Sequence, residues 1–237
     1  MNFALLLGQT ELPDAFGELA PPMQIAIFLG AMSFATAALV SLTAFTRIII
    51  VLSFVRRALS TQEIPPNQVM LGLSFFLTLF VMAPTVENIQ NNDNGLNDYL
   101  AAQKSEDSEV KAKALSALME VASDEIRAFM TVHTRHNDLQ LFVDLSKTEV
   151  SADSSSVPLK VLVPAFIISE LKTAFIMGFC IYIPFLLIDL VISTVLMSLG
   201  MMMMPPVIVS TPCKLLLFVL VDGWHLISKA LVSSFIT

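Results

Sequence analysis

The sequence predicts an all-α, membrane-associated protein with about four apolar helices of membrane-spanning length and a small helical insert. Three observations carry this. Of 237 residues, 55% are hydrophobic and only 14% charged, with a mean hydropathy of +0.76, whereas soluble domains carry about 25% charged residues. Apolar runs long enough to cross a bilayer recur at both ends of the chain. Charge is also segregated: Glu87 to Lys160 holds 13 acidic and 7 basic residues, the remainder 7 and 6, so most of the formal charge of −7 sits in one central stretch. Such an acidic insert excludes nucleic acid as a partner. It suits the non-cytoplasmic side of a membrane, where positive charge is not retained.

Residues 1–22 read as an acidic leader carrying Glu11, Asp14 and Glu18. Asn2 to Leu7 is too short for a clear signal peptide, and no lysine or arginine precedes it. Met23 to Phe54 is one long apolar stretch interrupted only by Arg47, and Met23 to Leu42 alone can span a bilayer. Arg56 and Arg57 follow, and Pro65-Pro66 then breaks the chain. The positive-inside rule places that connection in the cytoplasm. Asn67 is expected to cap a second apolar helix, Val69 to Ile89, with Pro84 kinking or ending its last turn. Residues 23–89 thus form a first apolar hairpin.

Residues 90–160 form the hydrophilic insert. Asn91-Asn92-Asp93-Asn94-Gly95 is rich in turn formers. Leu115, Leu118, Met119, Ala122, Ile126, Phe129 and Met130 repeat at a helical period within Lys111 to Val132. A shorter helix is expected from His136 to Leu145. Lys147 to Pro158, with its serine run Ser154 to Ser156, reads as a flexible connection. At about 70 residues the insert is small for a core of its own and should lean on neighbouring helices.

Residues 161–237 form a second apolar hairpin. Val161 to Gly200 is too long for one perpendicular span, with Gly178 and Pro184 as expected break or bend points. Spans are expected over Phe175 to Leu199 and Cys213 to Phe235. Between them lies Met201-Met202-Met203-Met204-Pro205-Pro206. Methionine is flexible and polarisable and fills irregular space, while the prolines stop a helix. Core filler, a copper site and a deformable constriction all use methionine. Copper fits poorly, because no His or Cys sits beside the run. A hydrophobic constriction can close a pore by excluding water and ions.

Glu170, Lys172, Asp189 and Asp222 are ionisable groups inside apolar sequence, which makes each a candidate functional residue. Glu170 and Lys172 lie two apart and cannot face each other on a helix, so each needs a partner on another helix or subunit. Ion pairs that fix assembly, a proton or ion path, and helix-end groups reaching solvent are the three readings. Asp189 is the best proton-relay candidate. Cys180 and Cys213 are expected to be packing residues. His133 and His136 read as surface histidines and His225 beside Trp224 as a packing histidine, with no residue set for a metal. No catalytic motif is present, so no enzyme activity and no cofactor is expected.

Several blocks together resemble the flagellar export-gate family FliP over about residues 25 to 235. They are Thr46 to Leu52, Pro65-Pro66-Asn67-Gln68-Val69, Leu162 to Phe166, Ser169 to Phe175, Gly200 to Pro206, and Lys214 to Trp224. The virulence secretion homologue SctR is similar. The Ser-Glu-Leu-Lys-Thr-Ala-Phe block and the double proline lean towards the flagellar branch. Members commonly begin with a cleavable signal peptide, which residues 2–7 do not resemble.

The resemblance implies long kinked helical hairpins that assemble into a helical ring, much of it above the bilayer plane, in place of four ordinary spans. It implies passage of unfolded flagellar subunits across the bacterial inner membrane, within the basal body, with the insert on the periplasmic side. A virulence export gate and a small-ion or proton transporter are the alternatives. The implied partners are copies of the chain in a pentamer, FliR, FliQ outside the ring, FlhB and FlhA from the cytoplasmic side, FliO during assembly, and membrane lipid. By matching motif, Met201, Met202, Met203 and Met204 become the pore gasket. Arg47, Glu170, Lys172, Asp189 and Asp222 become intersubunit charged contacts, and Pro65, Pro66, Pro205 and Pro206 define loops.

Overall fold

The structure, a computed structural model, describes residues 20–61, 64–92, 95–102, 108–146, 157–201 and 204–236. Nearly all of these lie in helices, and no strand occurs among them. In order they are α1 (Pro21–Leu42), α2 (Phe45–Ala58), α3 (Asn67–Asn91), α4 (Leu96–Ala102), α5 (Ser108–His133), α6 (His136–Ser146), α7 (Leu159–Ser198), α8 (Pro206–Leu220) and α9 (Gly223–Ile236). Three of them are long and apolar enough to cross a membrane, and a fourth span results if the bent pair α8–α9 counts as one. The all-α class is therefore as the sequence predicts. Leader residues 1–19 and most of the serine-rich connection, 147–156, lie outside the described residues.

The chain divides into two compact units. One comprises residues 1–39 and 89–122, and so holds most of α1, the end of α3, α4 and the first part of α5. In it α1 is an all-round apolar helix with almost no buried surface, and Phe34 is 77% exposed. A helix of this kind needs lipid or a protein neighbour around it. A tight turn joins α3 to α4: Gly95 donates its N–H to Asn92 O, and a Cβ at Gly95 would lie 2.1 Å from Ile89 O.

The second unit comprises residues 40–88 and 123–237. Its centre is α2 packed along α7. Ile48, Val51, Leu52 and Val55 of α2 are fully buried, with Ala174 and Phe185 of α7 and Leu231 of α9 in the same core. At 25 cal/mol per Å², each such aliphatic side chain contributes about 1.5–3 kcal/mol. A second cluster joins Met130 of α5 to Val157, Val161, Leu162 and Phe166, flanked by Leu139, Phe142 and Val143 of α6. The apolar faces of α6 and the end of α5 thus lie on α7, as a segment too small for its own core must.

Several boundaries differ from the sequence expectation. The first apolar stretch is two helices, interrupted at Thr43–Ala44, where Thr43 Oγ1 accepts the Phe45 N–H and Thr46 Oγ1 donates to Val40 O. Side-chain oxygens here compete with the helical ladder. Asn67 is the first residue of α3 and not its cap: Pro66 O accepts from Val69 and Met70, and Asn67 Oδ1 accepts from Arg56 Nη1 at 2.5 Å. Pro84 sits inside α3 and ends nothing.

Helix α7 runs unbroken for 40 residues through Pro164, Gly178 and Pro184. Gly178 is a packing contact instead of a break: a Cβ there would meet Phe54 Cγ at 2.5 Å. The expected span from Cys213 to Phe235 is broken instead, with α8 and α9 meeting at 65° about Asp222, whose φ is 52°. Gly223 lets the chain turn over the Phe218 ring, which a Cβ would meet at 2.3 Å.

Candidate functional site

The methionine run forms the connection between α7 and α8, and its two ends are fixed by backbone chemistry. Gly200 ends α7 in the left-handed region, φ 75°, which only glycine adopts without cost. Met201 donates its N–H to Leu196 O and Gly200 donates to Met197 O, both at 3.0 Å. This paired closure satisfies carbonyls that a helix end leaves open. On the other side Pro205 is extended and Pro206 opens α8, where proline's missing N–H costs nothing. Met204 donates to Met201 O at 3.3 Å, which brings the two ends of the run together. Met201 and Met204 are 42% and 40% exposed. Met202 and Met203 lie outside the described residues.

An ion pair with one buried partner fixes how α8 lies on α7. Lys214 Nζ, in a side chain 2% exposed, donates to Asp189 Oδ2 at 2.5 Å and to Ser60 Oγ at 2.7 Å. Asp189 stands eleven residues before Gly200, so the pair sits about 16 Å down the helix from the methionine turn. The other oxygen, Asp189 Oδ1, is buried without a partner among the described residues. Asp189 thus pairs with Lys214 of its own chain, which gives the buried ammonium an opposite charge.

A second buried cluster lies along α7. Arg47 Nε donates to Glu170 Oε2 at 2.7 Å and Nη2 donates to Glu170 Oε1, a two-pronged pair with both side chains buried. Its remaining nitrogen, Nη1, donates to Ser234 O at 3.0 Å and Ser234 Oγ at 2.9 Å. The guanidinium lies 3.8 Å from the centroid of the Phe235 ring, a geometry that adds cation–π attraction. Arg47 and Glu170 therefore satisfy each other across two helices of one chain. A forked guanidinium matches a carboxylate in both charge and shape.

The other charged candidates behave differently. Lys172 and Asp222 are exposed. Pro65 and Pro66 shape the connection before α3, with Ile64–Pro65 cis. Cys180 and Cys213 are exposed on α7 and α8 instead of packed within the chain. His225 and Trp224 are exposed as well, Trp224 lying edge-on to Phe218. His133 is not a surface histidine: its ring lies 4.4 Å from Phe129 and 5.2 Å from Phe235, and both its nitrogens meet backbone carbonyls.

Sequence reasoning missed three partners, Lys214, Ser234 and His133. The signal for Lys214 was present, as a lone cation and a lone carboxylate flanking one helix-breaking turn. Ser234 and His133 gave none, since neither residue type is unusual where it stands.

Comparison with known proteins points to one family. The FliP family model matches residues 28–231. "Flagellar biosynthetic protein FliP" of Bacillus subtilis is 49% identical over 213 residues, 90% of this chain and 91% of that protein. The Pectobacterium carotovorum protein of the same name is 45% identical over 224 residues, 94% and 83% of the two chains. That of Aquifex aeolicus is 39% identical over 227 residues, 95% and 90%.

Proposed function

Because this chain belongs to the FliP family, we propose that it is a pore-forming subunit of the flagellar type III export gate. Its Met201–Met204 turn is the gasket that closes the channel. The coarser role follows from family and fold: it is a helical membrane component of the flagellar export apparatus, and not an enzyme. In the finer reading, copies of the chain form a helical pentamer with FliR, and FliQ packs outside. FlhB and FlhA join from the cytoplasm, FliO assists assembly, and unfolded flagellar subunits pass through. The gate sits in the inner membrane with the acidic insert on the periplasmic side.

The observation that supports the gasket most is the construction of the methionine turn. A glycine closure and two prolines hold its ends, while the residues between are the least shape-demanding apolar side chains available. A rigid frame with a soft rim can close on itself and yield to a passing chain. The Lys214–Asp189 pair supports the same reading by keeping the hairpin in register. It weighs against a proton relay, since the carboxylate is already engaged. Lys172 and Asp222 are exposed and remain available for intersubunit pairing.

The test is ionic conductance of membranes containing the assembled gate. Replacing Met202, Met203 and Met204 together by alanine removes most of the rim, and the closed gate should then leak small ions that the parent retains. An unchanged barrier in a fully assembled variant would overturn the gasket.

A further inference from the structure

We propose that Lys214 is a positioning residue that bolts the methionine hairpin to the connection between α2 and α3, so that a displacement of that connection moves the turn. The bolt deepens the proposed gasket, and its effect on closure rests on that reading.

Helix α8 has little else to hold it. Its buried residues are Ser210, Lys214 and Phe218. They recur every fourth position and make one face, with the cation at its centre. Apolar contact is non-directional, so Phe218, the one apolar member of that face, does not set the rotation of α8 by itself. An ammonium only 2% exposed is tolerated where acceptors surround it. Lys214 Nζ takes them from two elements remote in sequence: Asp189 Oδ2 of α7, 25 residues away, at 2.5 Å, and Ser60 Oγ, 154 residues away, at 2.7 Å. Lysine carries three donors on one nitrogen, so one side chain joins three elements. Lys214 stands eight residues after Pro206, about 12 Å along α8. Both arms of the hairpin are thus pinned at a similar distance from the turn.

Ser60 is the unexpected member. It follows Leu59, the cap of α2, and donates its N–H to Arg57 O at 3.0 Å. Its φ is 58°, the left-handed conformation that glycine adopts freely and a side chain disfavours. A serine in that place accepts backbone strain and gains a hydroxyl, and the hydroxyl is the group that meets Lys214. Residues held against their backbone preference mark positions with a further role.

The connection beyond Ser60 is braced as a unit. Thr61 Oγ1 donates to Ile64 O at 2.5 Å, and Arg56 Nη1 of α2 donates to Asn67 Oδ1 of α3 at 2.5 Å. A partner that pushes on this connection therefore shifts Ser60 with it, and the shift reaches α8 through Lys214.

The test measures the distance between nitroxide labels at Val69→Cys and Ile208→Cys, exposed positions in the first turns of α3 and α8. The full chain is used in phospholipid nanodiscs, with Cys180→Ser and Cys213→Ser removing the native thiols. The parent should give one dominant distance. Ser60→Gly suits the backbone and deletes only the hydroxyl, so a change in that variant cannot come from strain. It should raise the population of displaced distances about tenfold, the effect of losing one hydrogen bond to a charged group. Ser60→Asn, which tolerates the left-handed conformation and returns an acceptor, should restore the parent distribution. Lys214→Met should displace α8 at least as far as Ser60→Gly does. A parent-like distribution in Ser60→Gly would overturn the bolt, as would displacement that Ser60→Asn leaves unrepaired. Ion conductance after alanine replacement of Met202, Met203 and Met204 tests the gasket alone, so either reading can fail without the other.

Discussion

Arg47 carries five N–H donors into a buried position, and each nitrogen of its guanidinium has an acceptor. Removing one partner of such a buried pair strands the other charge, at a cost of about 3–5 kcal/mol. Arg47→Ala should therefore lower the thermal unfolding midpoint of the full chain in detergent, and Glu170→Ala should do so comparably. Arg47→Met combined with Glu170→Leu should recover part of the loss, because neither charge then remains. It should not recover all of it, since Ser234 O stays uncapped. A double variant as unstable as the sum of the single ones would show that the stranded charge is not the cause. Asp189 and Lys214 follow the same logic with one difference. Asp189 is 37% exposed, so solvent screens that pair more and its loss should cost less.

The elements of the second unit are positioned by close approach as much as by apolar surface. Gly178 lets α2 lie against α7 with Phe54 where a side chain would stand, and Phe54 continues into ring contacts with Phe175 and Phe179 at 5.7 and 5.9 Å. Gly178→Ala should destabilise the chain by about 1–3 kcal/mol, because the inserted methyl must move a packed ring. Gly72→Ala in α3 is the control, since nothing lies within 4 Å of a Cβ there. It should be neutral, or stabilising by about 0.5–1 kcal/mol, from the lower helix entropy of alanine. Equal melting midpoints for the two variants would show that the α2–α7 approach tolerates a side chain. A different device sets the direction of α9, where a left-handed Asp222 and an uncluttered Gly223 turn the chain by 65°.

At the scale of the molecule, α7 and α8 leave much of their apolar surface uncovered by the rest of the described chain. The most apolar stretch of α7 is 11% buried, and exposed residues such as Phe179, Leu187, Leu190, Ile208 and Leu220 cover α7 and α8. Contiguous apolar surface of this extent is covered by lipid or protein. The proposed ring predicts protein on the faces that carry Cys180 and Cys213. In the assembled gate, a membrane-permeable maleimide should label these thiols at least about tenfold more slowly than in the denatured chain. Equal rates would mean that the faces stay open, against the ring.

Hydropathy, charge segregation and the 3.6-residue period determined the helical class, the membrane association and the two insert helices α5 and α6. The sequence also marked the methionine turn, because Gly200 and Pro205-Pro206 act on their own backbone within a few residues. These signals are local, and local chemistry is what a sequence displays directly. Tertiary structure alone decided that Arg47 meets Glu170 across 123 residues and that His133 reaches Phe235 across 102. It also decided that α7 stays whole while the last apolar stretch bends. A proline or glycine offers the chance of a break. Whether the break occurs depends on what packs beside it: Phe54 fills the space at Gly178 and the Phe218 ring lies under Gly223.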